Sequence, residues 1–455
     1  MELQIKTEDP RRRVQLLCLI AAGAVIFPFM ILPTLIPGFG FYEMEEYMVL
    51  PMLVFLGATL SREMTPVAKR CFALSGVMVL WYVMAQTNHL LNDMGTSPFG
   101  NFAVVYLLAF PFAAAAEDGG RSKGLKWIGG CYVAYSVLMV LFAGLLMLDI
   151  VPEALAENVR WDGARIAIFS HPNGGACILL LSIGFTMYFI TQAEKRWQRM
   201  LLVVLMLLQM FVQILTNSRT SMLLTCALIG GTIFFTIWNG KLARFLIGVV
   251  IVLAVIVVLF SVFSDIFEEH KEEQIERILL EGGDSENQHL VYDEATGTYI
   301  LVGEMVAAQG ELAEDMKTLN SRTLIWGAAI ETLHDNPAVK RWGTEYVSAE
   351  ISYRFGSEIV NAHNSWIQIL LELGLPGLIL AAAYTLVALW NIWILVWREV
   401  DIGKKIIAML VICIIAASVL EVYIFTAESG NAFSNFAFFL CTGYLIQWNA
   451  DAKNK

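Results

Sequence analysis

Arg219, Arg322 and His363 are cationic or titratable residues in a long apolar chain that has little structural use for them. Arg219 opens an apolar run in Asn217-Ser218-Arg219-Thr220-Ser221-Met222-Leu223. A guanidinium beside a bilayer boundary is costly unless it snorkels to water, pairs, or faces a polar cavity. Arg322 stands in Asn320-Ser321-Arg322-Thr323-Leu324-Ile325-Trp326, where Ser321 suits the cap of a helix. A helix amino terminus attracts anions, and an adjacent guanidinium adds a planar, permanently charged fork suited to phosphate. The plainer alternative is a solvated surface arginine. His363 precedes Asn364 at the start of a further apolar block. Imidazole is the side chain best suited to proton transfer near neutral pH, although a lone histidine at a helix start also serves purely structural ends.

Weaker signals surround these three. His171-Pro172-Asn173 opens another apolar run after Arg160 and Arg165. Asn173 suits a helix cap and Pro172 the entry turn, with a functional role for Arg165 as the second reading. His270 sits between Glu269 and Glu273 on what reads as a solvated helical face, and His89, His289 and His334 have no companions that suggest a site. The sequence has no Gly-x-x-x-x-Gly-Lys-Ser/Thr loop, no Gly-x-Gly-x-x-Gly fingerprint, no His-Glu-x-x-His pair and no Cys-x-x-Cys. It also has no Asp-x-Asp pair, which could hold a metal against a sugar diphosphate. Chemistry on a phosphate would therefore fall to arginines, and no metal or other cofactor is expected.

The elements that must position these residues are membrane spans. Of 455 residues, 57% are hydrophobic and 16% charged, against about 45–50% and about 25% for a soluble chain, and the mean hydropathy is +0.64. The apolar residues fall in blocks of bilayer-crossing length. This excludes a cytosolic enzyme, a disulfide scaffold, a disordered chain and a nucleic-acid binder. Twelve spans are expected, near 14–33, 46–60, 71–86, 101–116, 127–149, 173–190, 201–216, 219–238, 245–264, 365–396, 405–424 and 432–448. Alternate connections are basic (Arg62/Lys69/Arg70, Arg121/Lys123/Lys126, Lys195/Arg196/Arg199, Lys241/Arg244, Arg398/Lys404/Lys405), which places both termini inside by the Lys/Arg rule. Arg11-Arg12-Arg13 precede the first block, which carries no small-residue cleavage site and reads as a retained span. The seven cysteines all lie in apolar stretches, so no disulfide framework is expected.

The fold class expected is all-α: a polytopic membrane protein of about twelve helices with a large external loop domain between the ninth and tenth. The divisions are residues 1–264, 265–362 and 363–455. The external segment carries 7 Lys/Arg against 20 Asp/Glu. Within it, Glu268 to Glu276 reads as an acidic helix, Gly282 to Thr298 as turns with a hairpin, and Ser321 to Asn336-Pro337 as a capped and terminated helix. The tenth block is too long for one straight crossing, and Gly374-Leu-Pro-Gly377 should kink it.

These residues resemble the O-antigen ligase and O-antigen polymerase superfamily of bacterial membrane glycosyltransferases. Arg219-Thr-Ser-Met-Leu223 is similar to that family's Arg-x-x-x-Leu element. His363-Asn364, nine residues and Gly374-Leu-Pro-Gly377 fit its more specific His-Asn/Ser/Gln-x9-Gly-x-x-Gly/Thr/Tyr element. Arg322 ahead of Trp326 resembles the family's loop arginine, and His171-Pro172-Asn173 after Arg165 its motif at the sixth span. The resemblance implies transfer of a glycan from an undecaprenyl-diphosphate donor to an acceptor saccharide or a lipid-linked glycan, outside the cytoplasmic membrane of a bacterium. It implies metal-independent, inverting chemistry. His363, Arg322 and Arg219 would be catalytic; Arg219, Arg322, Arg165, His171, Asn173 and Asn364 would bind substrate. Membrane lipids are the other expected partner, and nucleic acid is not one.

Ligase, repeat-unit polymerase and protein glycosyltransferase share this machinery; the complete His-Asn-x9-Gly-x-x-Gly element favours the ligase. A transporter or lipid flippase would place ionisable residues near mid-bilayer. The nearest, Glu372 and Glu421, lie toward the outer ends of their spans.

Overall fold

The computed structural model describes residues 66–92, 122–152, 155–156, 158–162, 165–168, 172–237, 289–293, 298–302, 322–344, 346–355, 361–398, 401–425 and 432–453. Five long helices come first: α1 (Pro66–Leu91), α2 (Lys123–Met147), α3 (Pro172–Gln192), α4 (Arg196–Leu215) and α5 (Arg219–Ile237). Three shorter ones follow, α6 (Arg322–Asp335), α7 (Pro337–Trp342) and α8 (Val347–Phe355). Then come α9 (Ser365–Arg398), α10 (Ile402–Ala417) and α11 (Ala432–Lys453). Two antiparallel hairpins add to the helices. One pairs β1 (Val159–Asp162) with β2 (Arg165–Ile168), the other β3 (His289–Asp293) with β4 (Thr298–Val302). The second overlaps the expected turns with a hairpin at 282–298, but its second strand runs on to Val302. The expected spans at 14–33, 46–60, 101–116 and 245–264, the acidic helix at 268–276, the cap Ser321 and His171 lie outside the described residues.

Five of the described helices are long and apolar enough to cross a membrane: Gly124–Met147, Pro172–Gln192, Arg196–Leu215, Arg219–Thr236 and Ser365–Arg398. α3 is apolar on nearly every face, as a helix must be that is enclosed by others, and it packs against α2, α4, α5, α10 and α11. α4 shows the inverse of a water-soluble pattern. Met200, Leu201, Val204 and Leu207 are exposed while Gln209 and Gln213, one turn apart, are buried. Gln209 Nε2 donates to Ser136 Oγ (2.6 Å) and Thr186 Oγ1 (3.1 Å), and Thr225 Oγ1 donates to Gln213 Oε1 (2.8 Å). Polar groups turned inward and apolar ones outward suit a hydrocarbon surround, where an unpaired polar group has no water to turn to.

α9 breaks once, at Gly374, whose φ of 67° and ψ of −175° lie in a region essentially reserved for glycine. Gly343, the residue closing α7, has the same geometry (φ 81°, ψ −172°). The two glycines let backbone meet backbone. A Cβ on Gly374 would lie 2.5 Å from the carbonyl carbon and oxygen of Arg341, and one on Gly343 would strike the carbonyl oxygen of Glu372. Carbonyls freed by the break find other donors: Leu371 O accepts from Thr344 N (2.7 Å) and Leu373 O from Trp81 Nε1 (2.9 Å). Trp81 also stacks on Trp342, with ring centroids 5.2 Å apart. The expected kink is thus present, and it is the seat on which α7 rests.

α6, α7 and α8 enclose a second small core with the first half of α9, built on Ile325, Ala329, Leu333, Val339, Ile351 and Leu371. α6 ends at Asp335, and Asn336 then caps α7 by accepting from the backbone N–H of Ala338 (3.2 Å) and Val339 (3.3 Å). The expected stop is therefore also the next start.

The eleventh span departs from its expected limits. A helix to residue 424 was expected, but α10 ends at Ala417 and residues 418–425 leave it. Hydrogen bonds to the start of α9 compete successfully with the helix. Ser365 N donates to Ser418 O (2.8 Å), Asn364 Nδ2 to Val419 O (2.8 Å), and Tyr423 N and Ile424 N both donate to Ser365 Oγ (2.8 and 3.2 Å).

Candidate functional site

The departure from α10 brings Glu421 to the other charged groups. One carboxylate oxygen, Oε1, accepts from Arg322 Nη2 and from Asn173 Nδ2 (3.2 Å). The other, Oε2, lies 3.1 Å from His363 Nδ1. Four elements meet at this side chain: the start of α3, the start of α6, the residues ahead of α9 and the segment after α10. The carboxylate is 12% exposed, the Arg322 guanidinium 13% and the imidazole 37%. Glu421 is thus shielded while His363 opens outward.

Each partner is fixed by its local sequence. His363 has φ 46°, a left-handed conformation unfavourable to a side chain with a Cβ. It is held there by its neighbours: its own N–H donates to Asn361 Oδ1 (2.8 Å), and Ala362 N donates to Gln368 Oε1 (2.9 Å). Asn364 caps α9, accepting from Trp366 N (2.9 Å) and Ile367 N (3.1 Å). Arg322 is the first residue of α6, and one turn later Trp326 Nε1 donates to Ala362 O (3.0 Å), locking α6 to the residue before His363.

A carboxylate only accepts hydrogen bonds, so His363 Nδ1 must carry the proton of its contact with Glu421. In the neutral imidazole that leaves Nε2 with the lone pair. Tyr423 is buried beside the cluster, donating from its hydroxyl to Asn173 O (3.3 Å). Burial pushes its phenol well above the ordinary tyrosine range, Cys177 and Glu421 push it further, and Arg322 opposes them. Tyr423 therefore stays a neutral donor.

The structure sorts the residues singled out from sequence. Arg322 and His363 share Glu421. Arg219 begins α5, is exposed, and makes no hydrogen bond or ion pair with another described residue. It adjoins the cluster through Thr216 in the preceding turn, whose carbonyl accepts from Arg165 Nε (3.0 Å). Arg165 Nη2 donates to Asn173 Oδ1 (2.7 Å), so both residues are engaged within the protein. Asn364 is 7% exposed, and its side chain is taken up by the α9 cap and Val419.

Sequence reasoning passed over Glu421, weighing it only for a transporter. Its signal was its type: an acid in Leu420-Glu421-Val422-Tyr423-Ile424-Phe425, an otherwise apolar run. A buried acid of this kind must find partners. Nothing in the run itself says which.

Residues 201–382 match the family model described as O-antigen ligase. That stretch is similar to an O-antigen ligase domain. A comparison with curated proteins finds no match. The matched stretch contains Arg219, Arg322 and His363, and it ends beyond the Gly374–Gly377 kink. Arg165, Asn173 and Glu421 lie outside it. The cluster around Glu421 therefore joins the matched stretch to the parts of the chain before and after it. Arg322 and Arg165 both engage this cluster, and α6 and α5 begin at Arg322 and Arg219. Among the described residues, no group of three His, Cys, Asp or Glu is placed to hold a metal ion.

Proposed function

We propose that the O-antigen ligase domain transfers a glycan from an undecaprenyl-diphosphate-linked donor to an acceptor saccharide at the outer face of the bacterial cytoplasmic membrane. Both termini would be cytoplasmic, and the acceptor would be a sugar or a second lipid-linked glycan. The observation that carries this reading is the meeting of Arg322 and His363 on the two oxygens of Glu421. It puts an anion-binding fork and a proton acceptor beside one another in a largely shielded place.

The step follows from that pairing. The acceptor hydroxyl attacks the anomeric carbon from the face opposite the diphosphate, and the bond from that carbon to the diphosphate oxygen breaks. The bonding electron pair leaves with the diphosphate, where Arg322 and Arg219 offset the growing charge; such electrostatic stabilisation is usually the largest catalytic contribution. The hydroxyl proton passes to His363 Nε2 in concert with attack, because a sugar hydroxyl is too weak an acid to ionise beforehand. Glu421 keeps Nδ1 protonated and stabilises the imidazolium that forms. Attack from the opposite face inverts the anomeric centre, and no metal enters the step.

The test is transfer of a labelled lipid-linked glycan by the purified protein, with defined acceptors and with neither nucleotide nor ion gradient. Product appearing under these conditions is expected. A His363→Ala variant should bind donor normally and transfer it far more slowly; an unchanged rate would show that His363 is not the base. Growth of lipid-linked chains in place of a glycosylated core sugar would assign the same chemistry to a polymerase.

A further inference from the structure

We infer that Arg165 and Asn173 are positioning residues that set the orientation of Glu421, and through it the tautomer of His363, without touching substrate. The inference rests on the glycosyl-transfer reading for its kinetic part only.

The geometry is a directional relay. Arg165 projects from β2 with Nε on Thr216 O (3.0 Å) and Nη2 on Asn173 Oδ1 (2.7 Å). Asn173 Nδ2 then donates to Glu421 Oε1 (3.2 Å), and Glu421 Oε2 faces His363 Nδ1 (3.1 Å). A guanidinium only donates and a carboxylate only accepts, so a side chain between them must present one acceptor and one donor. A primary amide does this, and its two ends cannot be exchanged without breaking both contacts. The backbone of Asn173 is pinned as well, its carbonyl accepting from the Tyr423 hydroxyl (3.3 Å). Glu421 Oε1 is therefore held by two donors from two elements, which fixes the carboxylate plane and leaves Oε2 for the imidazole.

The relay also fixes the turn ahead of Arg219. Thr216 O belongs to the residue that ends α4, and Asn217 follows with φ 49° before α5 begins at Arg219. The Arg165 guanidinium thus spans the turn that carries one candidate phosphate ligand and the amide that orients the carboxylate between the other two functional groups. An arginine suits this because its planar fork makes two differently directed hydrogen bonds at once.

The experiment compares wild type with Asn173→Ala and Arg165→Gln by steady-state transfer and by 15N NMR of the His363 imidazole, its signal identified by loss in His363→Gln. Loss of one hydrogen bond to a charged group is expected to lower kcat about 10- to 100-fold, with the KM for lipid-linked donor within about twofold of wild type. The imidazole signal should move from the Nδ1-protonated pattern toward the Nε2-protonated one. The NMR readout needs no substrate, so it decides the relay even if wild type transferred no glycan, and Arg165→Gln decides it should Asn173→Ala fail to fold. A raised donor KM with kcat intact would make these residues substrate ligands and overturn the proposal. An unchanged His363 pattern in the folded variants would overturn it equally.

Discussion

His363 Nδ1 lies 3.1 Å from Glu421 Oε2, across 58 residues of chain. A carboxylate on one ring nitrogen fixes the ring's orientation and keeps the other nitrogen basic. Glu421→Gln tests this. The glutamine oxygen can still accept from Arg322, but its amide N–H₂ would face Nδ1 and demand the opposite tautomer. Turnover should fall about 100- to 10,000-fold with the folded protein still recovered from detergent. Retention of wild-type turnover would remove Glu421 from the proton-transfer arrangement.

Arg322 and Arg219 should respond differently to truncation. Arg322→Ala strips a buried carboxylate of its closest cation, which is destabilising because the remaining charge loses its compensation. Both activity and melting temperature should drop. Arg219 is exposed and has no partner among the described residues, so Arg219→Ala should leave the melting temperature unchanged while transfer falls. Paired thermal unfolding and activity measurements separate the two cases.

Arg322→Lys asks whether the fork matters beyond its charge. An ammonium is a point charge and does not reproduce bidentate contact with phosphate. Turnover should fall about 100-fold. Undiminished turnover in the lysine variant would argue against bidentate recognition of the diphosphate.

Gly374→Ala should destabilise the protein. Its backbone conformation costs a non-glycine residue about 1–3 kcal/mol, and the new Cβ would lie 2.5 Å from the Arg341 carbonyl. Because α7 rests on this kink, a lower melting temperature is expected in thermal unfolding. An unaltered melting curve would mean that α7 and the kink separate readily.

Chelation supplies a further check. If arginines neutralise the diphosphate, saturating EDTA should leave the transfer rate of the purified protein unchanged. Loss of activity on chelation, restored by a divalent cation, would contradict the metal-independent step.

The hydrophobic pattern already carried the helical, membrane-spanning class of the chain. Apolar blocks in the sequence coincide with helices α1 to α5, α9 and α11, of which α2 to α5 and α9 are long and apolar enough to cross a membrane, because desolvating twenty peptide groups leaves the chain few choices other than helix. Gly374-Leu-Pro-Gly377 announced its own kink, since the proline lacks an N–H and the glycine tolerates a conformation closed to other residues. Arg322 and His363 could be picked out by type, as charges with no evident structural purpose. Their convergence could not. Whether Leu420 to Phe425 continues α10 or leaves it depends on the hydrogen bonds Ser365 and Asn364 offer from 55 residues or more away, and hydropathy is the same in either case. The same bonds decide where Glu421 goes. So the sequence by itself determined a helical membrane protein with an outlying set of basic residues. Only the tertiary structure decided that Glu421 joins Arg322 to His363, because pairing of a buried charge is a property of what surrounds it in space.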